Sequence, residues 1–286
     1  MVLGLAAATQ AQPASAAKQA LPATQPVPAA RQAQQAQPAP AAKQAKPAAK
    51  QATQTQPAPE PQPAPAAQQL QPGTKVVIFG DSYSTFEGFI PEGYACWYPE
   101  YADRNDVHDV DSTWWRILCV ERGWDVIFNS SYSGATICNH GYGGEDYADR
   151  SFVTRMVTDI VTPDGRPAAC GQLPELLLVL AGTNDSWAGA EAGEVIPPEH
   201  MEGADLYKCL PATSYMFYYL KRRLPDTRIV MILNTDMRPE ITDGLEAVCA
   251  MYGVECMRLH DIHKQMGHPS NAGMRAIAEQ VGAFVK

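Results

Sequence analysis

The chain has 286 residues and a net charge of −9, and it joins two kinds of sequence. Residues 1–72 contain 24 Ala, 16 Gln and 13 Pro but no Phe, Tyr or Trp, too little large apolar surface to offset the entropy of ordering. Residues 73–286 have a globular composition and a net charge of −13, which disfavours nucleic acid as a partner because phosphate backbones are also negative. No stretch approaches the run of about 18 apolar residues that a transmembrane segment needs.

The first residues of the chain resemble the end of a signal peptide. Met1–Ala8 is apolar, and Ala14-Ser15-Ala16 offers a cleavage site with small residues at both key positions. This pattern predicts a signal peptide over residues 1–16 and a secreted or periplasmic protein, although an Ala-rich disordered terminus would look similar. Residues 17–72 are then a disordered, Pro-stiffened linker.

Residues 73–286 alternate between apolar strands and helical patterns. The predicted strands are Lys75–Phe79, Asp125–Phe128, Glu175–Leu180, Arg228–Leu233 and Glu255–Leu259. The predicted helices are Thr113–Arg122, Phe152–Val161, Ala212–Arg223, Pro239–Met251 and Ala272–Phe284. Continuously apolar strands alternating with helices indicate a parallel sheet covered on both faces, which is a three-layer α/β/α sandwich.

Seven cysteines are spread through this domain, and their spacing matches no zinc site. Cys249 and Cys256 flank a predicted helix-to-strand turn and could pair. We expect most of the others to be buried thiols.

Polar motifs follow the strands at the edge where such sheets bind ligands. Gly80-Asp81-Ser82 follows the first strand, Asn129 to Gly134 follows the second, and Gly182-Thr183-Asn184-Asp185 follows the third. A serine at this point can be a nucleophile, and an Asn amide can donate to an oxyanion, yet each motif alone is also typical of an ordinary turn or cap. His268 precedes the last helix, where a lone histidine is usually structural.

Together these motifs resemble the conserved blocks of the SGNH or GDSL hydrolase family, and the resemblance covers residues 75–286. The matches are Ser82 in G-D-S, Gly134 after Asn129, Asn184 in G-T-N-D and His268 in H-P-x-x-x-G. The resemblance implies a flavodoxin-like, five-stranded sheet of order 2-1-3-4-5. It also implies that Ser82 is the nucleophile, that His268 is its base, and that the Ser82 and Gly134 backbone N–H groups with the Asn184 amide form the oxyanion hole.

One position departs from the family pattern. Members usually carry an Asp three residues before the histidine, whereas this chain has Gln265. Asp261 is the nearest acid and could complete a triad if the loop bends. Otherwise Gln265 or a backbone carbonyl orients the ring, and the site is a Ser-His dyad.

The predicted activity is that of a serine esterase without metal or cofactor, acting on small-molecule or glycan O-acyl esters, with acetyl groups on carbohydrate favoured. Trp97, Tyr98 and Trp187 are predicted to bind substrate, either as a sugar platform or as an acyl pocket wall. The alternative for Trp97 and Trp187 is that they only pack the long insert that follows the first strand. His260 and His263 lack the further ligands that a metal site needs. The alternatives are a lipase, lysophospholipase or thioesterase, an O-acyltransferase, and a catalytically inactive binding module.

Overall fold

The computed structural model describes residues 70–99 and 103–286. The predicted signal peptide and the predicted linker up to residue 69 lie outside the described residues. Leu70 packs against the core, and the Gln71 carbonyl accepts a hydrogen bond from the Thr74 N–H at 3.0 Å. The folded domain therefore includes Leu70, three residues before the predicted boundary.

Five parallel strands form the central sheet, in the order β2-β1-β3-β4-β5. Their bounds are β1 Lys75–Gly80, β2 Asp125–Ser131, β3 Leu176–Leu180, β4 Arg228–Leu233 and β5 Glu255–Arg258. The predicted fold class and strand order are confirmed. The strands are rich in branched apolar residues because both faces of the sheet are covered.

Helices cover both faces of the sheet. Their bounds are α1 Trp114–Arg122, α2 Phe152–Arg155, α3 Thr183–Trp187, α4 Cys209–Arg223, α5 Pro239–Met251 and α6 Asn271–Phe284. Alternate residues of each strand point to opposite faces. In β1, Val76 and Ile78 pack with α1 and α6, whereas Val77 and Phe79 pack with α2, α4 and α5.

Three local features differ from the sequence expectations. Strand β2 runs on to Ser131, because Ser130 and Ser131 still pair with β1 although they are polar. Helix α2 continues as a π-helical turn over Met156–Ile160, so the predicted helix changes its hydrogen-bond pattern halfway. A short antiparallel hairpin, formed by β6 Lys264–Gln265 and β7 His268–Pro269, precedes α6 where the sequence predicts no strand.

All seven cysteines are free thiols, so Cys249 and Cys256 do not form a disulfide in this structure. Five of the seven side chains are buried, as expected, and Cys96 and Cys256 are half-buried. Among the described residues, no helix is both long and apolar enough to cross a bilayer.

Candidate active site

The turn after β1 places Ser82 at the carboxyl edge of the sheet. Residues Ser82–Ser84 form a single 3₁₀ turn, which Asp81 caps by accepting a hydrogen bond from the Tyr83 N–H at 3.0 Å. Gly80 allows this tight exit, since a Cβ there would lie 2.6 Å from Ser84 side-chain atoms. Ser82 is only 5% exposed, and its orientation is therefore fixed by the strand and turn that carry it.

His268 meets Ser82 directly. Its Nε2 atom lies 2.9 Å from the Ser82 hydroxyl, and its Nδ1 lies 3.2 Å from the Met266 carbonyl oxygen. A carbonyl only accepts, so Nδ1 carries the proton and Nε2 presents its lone pair to the serine. The ring can thus take the Ser82 proton without changing tautomer.

Burial lowers the pKa of His268 to about 4. The hydrogen bond to the Met266 carbonyl opposes this effect, and the nearby Lys264 ammonium adds to it. The imidazole is therefore neutral at pH 7, which is the state that a general base requires.

Side chains from the long segment after β1 hold the hairpin that carries His268. The Tyr98 hydroxyl donates to the Pro269 carbonyl at 2.8 Å, and the Asn105 amide donates to the same oxygen at 3.1 Å. From the nucleophile turn, the Tyr83 hydroxyl donates to the Gly267 carbonyl at 2.7 Å. These three bonds cross the chain at separations above 160 residues, so sequence patterns could not reveal them.

Asp261 does not reach His268, which corrects the prediction that it could complete a triad. Its side chain is 95% exposed and pairs instead with the His260 ring at 3.0 Å. The Gln265 side chain is also engaged elsewhere, because its oxygen accepts the Asp106 N–H at 2.8 Å. The orienting group on Nδ1 is therefore a backbone carbonyl, the geometry of a dyad.

The predicted oxyanion donors lie on the loops after β2 and β3. Gly134 has a φ of +83°, and no hydrogen bond from the described residues occupies its N–H. The Asn184 amide donates to the Ala135 carbonyl at 3.0 Å and lies 3.5 Å from Asp81, the neighbour of Ser82. The Asn184 oxygen accepts the Tyr142 hydroxyl at 2.7 Å, which fixes the amide with its NH₂ group toward Asp81 and Ala135.

Two buried carboxylates, Asp185 and Asp81, accept hydrogen bonds from the backbone near the site. Asp185 accepts hydrogen bonds from the Ile137 and Cys138 N–H groups at 2.8 and 3.1 Å, which ties the Gly134 loop to α3. Burial raises the pKa of Asp81 to about 7, and its hydrogen bond from the Tyr83 N–H opposes the shift. Both acids therefore support the backbone of the site through hydrogen bonds.

The three predicted substrate residues occupy different positions. Trp97 stacks on the His268 ring, with centroids 3.4 Å apart and planes inclined by 9°. Trp187 is 40% exposed beside Gly267, and its ring N–H donates to the Asp236 carbonyl. Tyr98 is 1% exposed and bonded to Pro269, so the prediction that it contacts substrate is wrong: it supports the His268 hairpin from inside.

A buried arginine below the site was not predicted. The Arg155 guanidinium donates to the Gly80 and Ser130 carbonyls at 3.1 and 2.5 Å, joining the ends of β1 and β2. Ser130 in turn donates to the buried Asp159 carboxylate at 2.6 Å. A charged residue inside the otherwise apolar start of α2 was the sequence signal that could have identified it.

The sequence predicts no metal site at His260 and His263. His260 pairs with Asp261, and His263 Nδ1 lies 2.6 Å from the Ser270 hydroxyl. Within residues 70–99 and 103–286, no group of three or more His, Cys, Asp or Glu side chains could hold a metal ion.

Comparisons with known proteins identify the family of the chain. The family model of the GDSL-like lipase/acylhydrolases matches residues 74–285. Among solved structures, a Bacteroides uniformis protein described as a GDSL-like lipase is 43% identical, with a TM-score of 0.68 over 74% of this chain and 95% of that one. A second, from Bacteroides ovatus, is 38% identical, with a TM-score of 0.67 over 75% of this chain and 98% of that one.

A more distant structure shares the fold. A family two carbohydrate esterase from Clostridium thermocellum, solved with cellohexaose, is 16% identical and has a TM-score of 0.51 over 77% of this chain and 66% of that one. No curated protein sequence matches the chain significantly.

Proposed function

The chain belongs to the GDSL-like lipase/acylhydrolase family, and from that premise we propose that it is a serine esterase working through a Ser82–His268 dyad. One observation carries the proposal: the 2.9 Å contact between the Ser82 hydroxyl and Nε2 of a neutral, buried imidazole. A nucleophile and base within hydrogen-bond reach, the base oriented by a third group, is the arrangement that covalent acyl transfer requires.

In the acylation step, the Ser82 oxygen attacks the ester carbonyl carbon while its proton passes to His268 Nε2. The tetrahedral intermediate collapses as His268 returns that proton to the leaving alcohol oxygen. Water then attacks the acyl-enzyme with the same base, releasing the carboxylic acid and restoring Ser82. The Met266 carbonyl keeps Nδ1 protonated throughout.

The oxyanion is the next charge to be stabilised. The backbone N–H groups of Ser82 and Gly134 and the Asn184 amide are the proposed donors. The Gly134 N–H, which donates to none of the described residues, and the amide orientation imposed by Tyr142 support these roles. Removing one such donor from a comparable hydrolase costs about 3–4 kcal/mol of transition-state stabilisation.

The proposed substrate is an acetyl ester on carbohydrate. Trp187 and Tyr142 have 40% and 37% of their surfaces exposed, and both adjoin Asn184, one along α3 and the other through its hydroxyl. Partly exposed aromatic rings suit the stacking that sugar rings offer, and the Tyr142 hydroxyl oxygen can still accept a hydrogen bond. The carbohydrate esterase of the same fold indicates that such a scaffold can serve this chemistry, whereas the choice of substrate rests on these two side chains.

The test separates a live esterase from an inactive module and from a lipase. We expect a fluorophosphonate to label the wild-type protein and not Ser82→Ala. We also expect acetate release from acetylated xylan, with p-nitrophenyl ester rates that fall steeply beyond butyrate. Rates that rise toward octanoate, without acetate release from any acetylated sugar, would indicate a lipase, and no labelling would indicate a binding module.

We further propose that the protein is exported, with residues 1–16 as signal peptide and the Ala-, Pro- and Gln-rich segment as linker. Removing residues 1–69 should leave the Tm and ester hydrolysis unchanged. Removing residues 1–72 should lower the Tm by a few degrees, because Leu70 then no longer covers the core. A large loss of stability with the shorter deletion would show that the folded unit begins earlier.

A further inference from the structure

Among the described residues, Trp97 makes the closest aromatic contact with His268. The ring centroids are 3.4 Å apart and the planes almost parallel, at 9°. Tyr83 and Tyr98 adjoin the same imidazole less closely, with centroids 5.4 and 6.4 Å away and tilted planes. The indole therefore covers one face of the ring, while the ring edge points its two nitrogens at Ser82 and Met266.

Trp97 is also tied to the nucleophile. The Thr85 hydroxyl donates a hydrogen bond to the Ser82 carbonyl at 3.0 Å. The same hydroxyl accepts a hydrogen bond from the backbone N–H of Trp97 at 2.9 Å. One side chain thus connects the backbone of Ser82 with the residue that stacks on its base. The position of Trp97 is therefore fixed by hydrogen bonds to the turn that carries Ser82.

In a triad, a carboxylate holds the imidazole in its plane and stabilises the imidazolium that forms during attack. Here the Met266 carbonyl keeps the tautomer but carries no formal charge. Asp261 is exposed to solvent. The Lys264 ammonium disfavours the protonated form of His268, although Lys264 also pairs with Asp236 at 2.9 Å. The hydrogen bond to the Met266 carbonyl favours the protonated ring, but it does not offset the effect of burial, so a further group that stabilises the transient positive charge would aid the reaction.

We propose that Trp97 is a positioning residue that takes the place of the missing triad acid: its ring holds the His268 imidazole in plane, and its π face stabilises the imidazolium formed when His268 accepts the Ser82 proton. This inference rests on the proposed esterase function. The electron-rich face of an indole attracts a cation, and it does so more strongly where water is excluded. His268 is 8% exposed, which meets that condition.

The first experiment compares Trp97→Phe and Trp97→Leu with Phe89→Leu, a control that removes an exposed aromatic of the same insert away from His268. We expect Trp97→Phe to keep kcat within about threefold and Trp97→Leu to lower it by about 10- to 30-fold, the range of a desolvated cation–π contact. KM should change less than twofold in both, and Phe89→Leu should match the wild type. A loss that appears only in KM would overturn the inference, because Trp97 would then be binding substrate.

The second experiment keeps the shape of the side chain constant. Mono-, di- and trifluorinated tryptophans at position 97 withdraw electron density from the π face with little change in volume. We expect kcat to fall stepwise with each fluorine at constant KM, and the pKa of His268, followed by NMR of its ring protons, to fall in the same order. Two ionisable hydroxyls, Tyr83 and Tyr98, and the Lys264 ammonium face the same ring and stay unchanged across the series.

The NMR titration needs no substrate, so it separates the two proposals. A wild-type protein that hydrolyses no ester would refute the proposed function, while the dependence of the His268 pKa on fluorination would still decide the role of Trp97. An active protein in which kcat and the His268 pKa are both flat across the series would refute the Trp97 role alone.

Discussion

Two regions bring the Ser82 hydroxyl and the His268 ring together, and they are built by different means. The nucleophile turn, residues 81–85, continues β1, a strand hydrogen-bonded on both sides by β2 and β3. The His268 hairpin, residues 264–269, has only two residues in each strand, and Met266 at its tip is 60% exposed. Backbone pairing fixes the serine, whereas side chains from distant parts of the chain fix the histidine.

The difference shows where the site is vulnerable. The turn depends on local chemistry that a few neighbouring residues supply, such as the Asp81 cap and the space above Gly80. The hairpin depends on Tyr83, Tyr98 and Asn105, all of which belong to the long segment between β1 and α1. That segment therefore helps to position the His268 side chain.

The largest effect should come from the turn itself. Ser82→Ala removes the nucleophile without disturbing the backbone bonds that shape the turn, so we expect turnover of a short p-nitrophenyl ester to fall about 10⁴-fold. The Tm should stay within a few degrees of the wild type. Retained hydrolysis by a folded Ser82→Ala protein would remove the serine from the mechanism.

A second test addresses the burial of His268 through pH. Because burial lowers the pKa of His268 to about 4, the ring stays neutral, and kcat/KM should hold nearly constant from pH 7.5 down to about 5. Below pH 4 the base is protonated, and the rate should fall about tenfold for each pH unit. Circular dichroism at each pH serves as the control for unfolding, and a midpoint near 6.5 would show that the histidine is solvated like a free one.

A third test weakens the hairpin from a distance. Tyr98→Phe removes the hydroxyl that bonds the Pro269 carbonyl, so we expect a three- to tenfold loss in kcat and a loss of about 1 kcal/mol in the free energy of unfolding. Tyr219→Phe is the matched control, since it removes a similar buried bond to the Val161 carbonyl on the other face of the sheet. Equal kcat values for the two variants would mean that the hairpin needs no such support.

The smallest effect should come from the acid that the sequence offered as a third member. Asp261→Ala should change kcat by less than about twofold, because the carboxylate is exposed and bonded to His260. His268→Ala, assayed beside it, should lose at least about 10³-fold. Equal losses in two folded variants would establish a triad after all.

These differences explain what the sequence could and could not predict. The strands were predictable because apolar runs such as Leu176–Leu180 admit one interpretation in a parallel sheet. Ser82, Gly134, Asn184 and His268 stood out because the motifs that contain them resemble a known family. The hairpin at 264–269 was invisible because its two-residue strands give no periodic pattern.

The roles of the aromatic residues were the hardest to foresee. Trp97 and Tyr98 are neighbours in the sequence, and only the fold decides that Trp97 stacks on His268 while Tyr98 is buried beneath the hairpin. The charge of Arg155 in the sequence indicates a special role, but its acceptors, the Gly80 and Ser130 carbonyls, lie 75 and 25 residues away and only the fold identifies them.

The contact of Leu70 with the core shows at which edge of the sheet the described chain begins. The described chain enters beside the amino ends of the strands, where the Gly73 N–H bonds the Gly123 carbonyl. It ends at the same edge, where Arg228 at the start of β4 bonds the Val285 carbonyl. The six residues of β1 separate this edge from Ser82 by about 20 Å. A bead or fusion partner joined directly to Leu70 or to the carboxyl end would consequently stand behind the catalytic face and leave its approach to a bulky polymer unobstructed.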